Sequence, residues 1–112
     1  MDSTTEFFNE LDARGHEPLL EQATGTLRFD LRNGKQTVRW LVAIEKGDIA
    51  VSHRNARADC VIRADRKLFD GIVRGEENAV AGVLRGEVGV EGKRDLMVLF
   101  QRLFPSPPKD AS

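Results

Sequence analysis

The chain has 112 residues, of which 40% are hydrophobic and 31% charged, and its formal net charge is -1. This length and composition are typical of one globular domain with its own hydrophobic core. The near-neutral charge argues against a nucleic-acid-binding protein that depends on counterion release. Because Cys60 is the single cysteine, an internal disulfide framework is excluded and a reducing compartment is indicated.

The first predicted element is a helix. Ser3 and Glu6 have the spacing of a capping box, and apolar residues follow at helical intervals. We therefore predict a helix over residues 4–14 that Gly15 ends.

A β-hairpin is predicted next, around the Asn-Gly pair at residues 33–34. Apolar and polar residues alternate on both sides of this pair, which is the strongest short hairpin signal. With Asn-Gly as the turn, Phe29 faces Val38 and nearly all large apolar side chains lie on one face. The same register places Arg28 opposite Arg39 on the other face, which is a mildly repulsive pair.

A third strand extends this hairpin into a meander. Gly47-Asp48 supplies the second predicted turn. Ile44 then faces Val51, so the third strand continues the apolar face of the first two.

Two further strands and three helices are predicted in the second half of the chain. The strands show alternation, whereas the helices show apolar residues at helical spacing and glycines near their ends. In chain order they are a strand at residues 58–64, a helix from Asp65 to Gly75, a helix from Glu76 to Arg85, a strand at residues 87–91 and a helix at residues 93–104. Helices covering one face of a single, largely antiparallel sheet accommodate this order, which is an α+β arrangement.

Both ends of the sequence carry expectations of their own. Residues 1–105 are predicted to form one domain, and residues 106–112, which lack large apolar side chains, a disordered tail. The N-terminal residues show no basic segment and no apolar run of a secretory signal. No apolar run approaches the roughly 20 residues that span a bilayer. We therefore expect a cytoplasmic protein.

Residue types that carry catalysis are few and separated. Cys60 occupies an apolar position of its strand, where a small buried thiol is the ordinary interpretation. His16 and His53 lack the spacing of a zinc site, and Glu87 and Glu91 fit the solvated side of a strand. The sequence thus predicts no enzyme, no catalytic residue, no metal site and no cofactor.

Gly82 is unusual because it lies inside a predicted helix. Glycine there destabilises a helix by about 1 kcal/mol relative to alanine. A close backbone approach, room for a ligand, or simple tolerance would each account for it.

The last predicted helix has an apolar surface wider than the stripe of about 100° found in ordinary amphipathic helices. Its apolar residues are Leu96, Met97, Leu99, Phe100, Leu103 and Phe104. One interpretation is a helix packed on two sides or in an oligomer interface, which periodicity alone favours. The other is one wall of an apolar cavity that a lipid fills.

Three quoted segments resemble parts of a known family. ADCVIRAD at residues 58–65 resembles that family's fourth strand, and VRWLVAIEKGDIAV at residues 38–51 its second and third strands. LFDGIVRGEENAVAGVLRGEVGVEG at residues 68–92 resembles its paired helices and the short strand after them. With the Leu- and Met-rich closing helix, their order and spacing resemble the sterol carrier protein 2 domains, also called non-specific lipid-transfer proteins.

This resemblance implies a five-stranded, mainly antiparallel sheet covered on one face by helices, with an apolar tunnel between the two layers. It also implies a crossover that places the fourth strand beside the first, whereas the residues alone equally allow a hairpin at residues 54–57. The implied function is non-catalytic binding of a lipid or other apolar ligand, such as a sterol, a fatty acid or a fatty acyl-CoA, in this tunnel. Intracellular transfer of that ligand is a further expectation. Transient membrane contact is compatible with it.

The rival hypothesis is an interaction module whose last helix packs in a homodimer and holds no ligand. On the lipid hypothesis, ligand contacts come from the sheet, the paired helices and the closing helix. The candidates are Trp40, Val42, Phe69, Ile72, Val73, Val80, Val83, Leu84, Leu96, Leu99, Phe100, Leu103 and Phe104. Phe8 and Leu11 are interpreted as ordinary core residues.

Overall fold

Five strands and four helices make up residues 2–105, the part of the chain that the computed structural model describes. The predicted tail at residues 106–112 lies outside the described residues. In chain order the elements are α1 (Ser3–Arg14), β1 (Thr24–Asn33), β2 (Gln36–Glu45), β3 (Asp48–Ser52), β4 (Cys60–Asp65), α2 (Arg66–Val73), α3 (Ala79–Leu84), β5 (Gly89–Gly92) and α4 (Arg94–Phe100). Short 3₁₀ turns occupy Pro18–Leu20 and Gln101–Leu103.

The strands form one sheet in the order β3-β2-β1-β4-β5. The β1–β4 pair is parallel and the other pairs are antiparallel. A parallel pair needs a crossover connection, and residues 53–59 supply it on the face without helices, where Arg28 Nη1 donates to the Ala56 carbonyl at 3.1 Å. The α+β fold and the crossover are thus confirmed, and a hairpin at residues 54–57 is wrong.

The first hairpin turns at Gly34-Lys35, one residue later than predicted. Gly34 has a φ of +65°, as the first position of a type II′ turn requires. Phe29 therefore pairs with Trp40 instead of Val38. Since the partner changes by two residues, every side chain keeps its predicted face.

The turn between β2 and β3 also differs, because it consists of Lys46-Gly47 rather than Gly47-Asp48. Lys46 has a φ of +49°, a region that residues other than glycine rarely adopt. Ile44 consequently pairs with Ile49 and not with Val51. The apolar face again survives the change of two residues.

The boundaries of α3 follow from how α2 ends. The amides of Glu76 and Glu77 donate to the carbonyl of Gly71 at 2.8 and 3.2 Å, closing the end of α2. The sequence predicted that these two residues form the first turn of α3, and that prediction is wrong. Asn78 caps α3 instead, and its Oδ1 accepts a hydrogen bond of 3.0 Å from a backbone amide of that helix.

The start of α1 shows a similar correction. Asp2, and not Ser3, caps the helix, because its Oδ1 accepts a 2.7 Å hydrogen bond from the Thr5 amide. This bond, together with the nearby Arg66 guanidinium, lowers the pKa of Asp2. Gly15 ends the helix in the left-handed conformation, as predicted.

Aromatic side chains fill the space between the sheet and the helices. Phe8 stacks on Trp40 at 4.7 Å and on Phe69 at 5.7 Å between ring centroids. Phe104 continues the chain of contacts, at 5.6 Å from both Phe69 and Phe100. A continuous aromatic core therefore joins α1, β2, α2 and the end of the closing helix.

Candidate functional site

An open apolar groove of about 190 Å³ runs between α3 and α4 and reaches β5. Its apolar lining residues are Ala79, Val80, Val83, Val90, Met97 and Val98. The polar residues of the lining, Arg94 and Gln101, lie at opposite ends of its α4 wall. A lining of this kind binds apolar molecules by removing hydrocarbon surface from water, and it carries no arrangement for catalysis.

The apolar surface of α4 explains why this helix contributes to both the core and the groove. Leu96 and Phe100 are buried beneath it, and Met97 is nearly buried at the floor of the groove. Val98, on another side of the helix, is 58% exposed and lines the groove wall. Of the wide apolar surface predicted from the sequence, Leu96 and Phe100 contact the packed core and Met97 lines the open groove, whereas Val98 lies outside that predicted surface.

Gly82 brings α3 close to the chain that leads into β5. A Cβ atom built on Gly82 would lie 2.8 Å from Cγ2 of Val88, which is itself buried. The carbonyl of Gly82 also accepts hydrogen bonds from the amides of Glu87 and Val88, at 2.9 and 3.1 Å. Of the three explanations for this glycine, the structure supports a close packing contact.

Exposed apolar side chains surround the groove. Val80 is 51% exposed, and Leu84, one turn further along α3, is 83% exposed. Within residues 2–105, four large apolar side chains are exposed: Leu19, Val80, Leu84 and Val98. Three of them thus belong to α3 and α4, although Leu84 does not line the groove itself.

More than half of the predicted ligand-binding residues are buried in the core rather than in the groove. They are Trp40, Val42, Phe69, Ile72, Leu96, Phe100 and Phe104. Trp40 lies on β2, three strands from β5, which corresponds to about 14 Å across the sheet. Its indole packs against Phe8 and, at 4.0 Å between ring centroids, against His53.

The remaining predicted residues divide between several environments. Val80 and Val83 line the groove, and Leu99 packs partly buried against the core. Val73 and Leu103 line a separate, wider depression of about 630 Å³ beside α1. Val90, Met97 and Val98 line the groove but were not among the predicted site residues, although they belong to apolar positions visible in the sequence.

Cys60 and His16, which the sequence analysis considered as candidates for catalysis or metal binding, have surroundings typical of structural residues. Cys60 is completely buried, and this burial raises the pKa of its thiol. His16 contacts Asp48 Oδ1 through Nδ1 at 2.8 Å and Glu21 Oε2 through Nε2 at 3.2 Å. Within residues 2–105, no group of three or more His, Cys, Asp or Glu side chains is placed to hold a metal ion. No helix in that range has the length and hydropathy to cross a membrane.

Comparison with known proteins supports the architecture. The solution structure of the sterol carrier protein domain 2 of Helicoverpa armigera matches with a TM-score of 0.73 and 18% identity, covering 91% of this chain and 85% of that chain. Sterol carrier protein 2 from Yarrowia lipolytica, in its apo form, has a TM-score of 0.71 and 19% identity, covering 86% and 84%. These structures share the fold of the present chain.

A similar domain also occurs inside a larger enzyme. The sec-alkylsulfatase Pisa1 from Pseudomonas sp. matches with a TM-score of 0.67 and 16% identity, covering 89% of this chain but only 16% of that chain. No curated protein sequence matches the chain significantly. The family model described as the SCP-2 sterol transfer family matches residues 8–105. Because this match spans most of the 112 residues, the protein belongs to the SCP-2 sterol transfer family.

Proposed function

We propose that the chain binds a lipid or another amphipathic apolar ligand without catalysis, and that the groove between α3 and α4 is its point of entry. The observation that carries this proposal is the almost wholly apolar lining of a groove whose rim exposes Val80 and Val98. Membership of a family described by sterol transfer supports it. A sterol, a fatty acid or a fatty acyl-CoA is the proposed ligand class.

The size of the groove implies that α3 moves when a ligand enters. Its volume of about 190 Å³ is below the roughly 300–1,000 Å³ of typical small-molecule sites. α3 has only six residues, and its backbone makes few contacts with other elements. It lies between Gly75 and Gly86, whose φ values are +77° and +76°. Segments with few contacts open at low free energy, so outward movement of α3 would enlarge the groove toward the floor at Met97 and form the tunnel that the family resemblance implies.

Burial of hydrocarbon would supply the free energy for this opening. Each buried methylene contributes about 0.8 kcal/mol, so about ten of them contribute roughly 8 kcal/mol. The polar end of the ligand would then lie at the rim of the groove, where Arg94 and Gln101 supply hydrogen-bond donors. Transfer would involve transient contact of the exposed side chains of α3 and α4 with a membrane, in the cytoplasm and without nucleic acid as a partner.

A fluorescent fatty-acyl probe tests the proposal on protein that has been extracted with organic solvent and refolded. We expect saturable binding to the wild type and at least tenfold weaker binding to Val80→Asp, because a carboxylate in the groove opposes apolar contact. Leu84→Asp is the matched control, since it adds the same charge to the same helix outside the groove lining. Equal binding by both variants and the wild type would contradict the groove as the site.

The second candidate function is a homodimer that uses the same apolar surface. Exposure of Val80 and Val98, which line the same groove, favours it, because contiguous exposed apolar side chains are typical of interfaces. A dimer by light scattering that Val98→Asp separates, together with no lipid in the organic extract and no saturable probe binding, would establish this alternative and reject the carrier.

A further inference from the structure

A second pocket, of about 380 Å³, lies on the face of the sheet opposite the helices. It is near the β1–β2 hairpin and is bounded on one side by the chain between α3 and β5. Its charged and hydroxyl-bearing residues are Asp30, Arg32, Thr37, Arg39, Arg63 and Glu87. This pocket shares no lining residue with the apolar groove, and a ligand in it would not depend on the lipid proposal.

The register of three strands brings the charged side chains together. Asp30 of β1 pairs with Arg39 of β2 on one side and with Arg63 of β4 on the other. Neighbouring strands are about 4.8 Å apart, so these three side chains form a row across the sheet. Arg32 and Thr37, which also pair with each other, extend the pocket by one step toward the hairpin.

Asp30 does not use Arg39 as its main partner. The Asp30 carboxylate is buried and accepts two hydrogen bonds from Arg28, at 2.8 Å from Nε and 3.0 Å from Nη2. These bonds raise the pKa of Arg28. By contrast, Nε of Arg39 is 3.6 Å from Asp30 Oδ1, which is beyond hydrogen-bond distance.

Arg39 therefore has unused donors. Its Nε is buried and has no hydrogen-bond partner among residues 2–105, and the side chain as a whole is 37% exposed. A buried donor without a partner is destabilising by the cost of its lost hydration. Such groups in native structures commonly indicate an ion or water that completes the site.

The carboxylate that faces Arg39 is Asp30, an ion-pair partner at 3.6 Å that Arg28 already holds by two hydrogen bonds. Glu87 forms an ion pair of 2.7 Å with Arg85, so the second carboxylate of the lining also has a separate partner. Arg63 pairs with Glu91, and Arg32 pairs with Asp65 at 3.2 Å. These latter pairs are exposed, and such pairs contribute little and exchange readily.

We propose that this pocket binds a phosphate-type oxyanion, with Arg39 as its principal ligand and Arg63, Arg32 and the Thr37 hydroxyl as further donors. The planar guanidinium group presents paired donors that match two phosphate oxygens. The phosphate group comes either from a soluble phosphate compound or from a phospholipid headgroup, and both sources present the same oxygens to the pocket.

The first arm of the test uses inorganic phosphate, followed through the backbone amide resonances of the full-length protein. We expect saturable shifts at Thr37, Arg39 and Arg63, and at least about tenfold weaker binding in Arg39→Gln, because a charge-assisted contact is lost. Arg102→Gln is the matched control, since it removes an exposed arginine from the helical layer. Arg63→Gln is a second variant, expected to weaken binding while leaving the Arg28–Asp30 pair intact.

The second arm distinguishes the source of the phosphate. Sedimentation with phosphatidylcholine vesicles is compared with and without phosphatidic acid, for the wild type and for Arg39→Gln. Dependence on both phosphatidic acid and Arg39 supports a headgroup, whereas Arg39-dependent binding of inorganic phosphate alone supports a soluble source. Equal phosphate affinity of the wild type, Arg39→Gln and Arg102→Gln, or no binding in either arm, would overturn the proposal.

Discussion

The α1–α2 side of the helical layer buries its apolar side chains, whereas the α3–α4 side leaves apolar side chains along an open groove. Phe8 and Phe69 have almost no exposed surface, but Val80 and Val98 are more than half exposed. Residues of similar character therefore serve packing on one side and remain available for contact on the other.

Polar contacts strengthen the same difference. The buried Asp70 carboxylate of α2 accepts hydrogen bonds from the amide and the hydroxyl of Thr4 at the start of α1, at 3.1 and 2.6 Å. α3 has a cap of its own but only sparse contacts with other elements. Contacts are thus dense between α1 and α2 and sparse around α3, the helix that borders the proposed entry groove.

The largest expected effect is that of Phe69→Ala. Removing a buried phenyl group leaves a cavity in the aromatic core, so the free energy of unfolding should fall by about 3–5 kcal/mol. Urea denaturation measures the loss. Leu84→Ala is the control on the other side and should change stability by no more than about 0.5 kcal/mol, because that side chain is exposed. Similar losses for both variants would contradict the difference in packing between the two sides of the helical layer.

Gly82→Ala is expected to have the next largest effect. The new Cβ would meet Val88 at 2.8 Å, and overpacking of this kind destabilises by about 1–3 kcal/mol. Helix propensity recovers about 1 kcal/mol, so a net loss of about 1 kcal/mol is expected in thermal unfolding. Gly89→Ala is the control, because its nearest atoms are at ordinary contact distance, 3.7 Å. A stable Gly82→Ala variant would show that Val88 yields easily.

Asn78→Ala tests whether α3 opens independently of the rest of the molecule. Loss of the cap destabilises α3 by about 1 kcal/mol, so its amides should exchange with solvent about fivefold faster. Asp65→Ala provides the comparison in α2, since the Asp65 side chain makes no capping hydrogen bond there. Hydrogen exchange that accelerates equally in all helices of Asn78→Ala would mean that α3 opens only with the whole fold.

The smallest effect is a pH dependence at His16. Hydrogen bonds to Asp48 and then Glu21 raise the pKa of His16 above its ordinary value of 6.5. A raised pKa in the folded state stabilises the protein fully below the pKa of the unfolded state. That contribution is lost as the pH rises through the folded-state value. Denaturation curves between pH 5.5 and 8.5 should show this small decline in the wild type and not in His16→Gln.

Alternation along the strands was sufficient to predict which face of the sheet is buried, but it did not fix the register. Phe29 keeps its face whether Val38 or Trp40 is its partner, because the two differ by two residues. The difference matters on the other face. The predicted register placed Arg28 opposite Arg39, whereas the observed one places Asp30 there and creates the outer pocket.

The predicted ligand-binding residues lie in several different environments of the structure, for a physical reason. Apolar residues at helical spacing identify a buried face, but they do not distinguish a filled core from an open groove. Phe69 and Val80 were therefore both predicted to contact a ligand, although Phe69 is buried and Val80 is exposed. The parallel pairing of β4 with β1 was expected only from the family resemblance, since alternation contains no information about strand direction.

The parallel pairing of β1 with β4 has a consequence for how the chain acquires its structure during synthesis. Leu27 pairs with Cys60, so the centre of the sheet closes only after β4 has been made, whereas the β1–β2 hairpin needs only a two-residue turn. Long-range pairing of this kind slows folding. The kinetic φ-value is the fraction of a substitution's effect on stability that is already present in the folding transition state. We expect this fraction to be high for substitutions in the hairpin and near zero at Val80 in α3. Because Phe100 and Phe104 belong to the core, the packed core would be complete only after the closing helix has been made, and binding at the proposed groove would come after that.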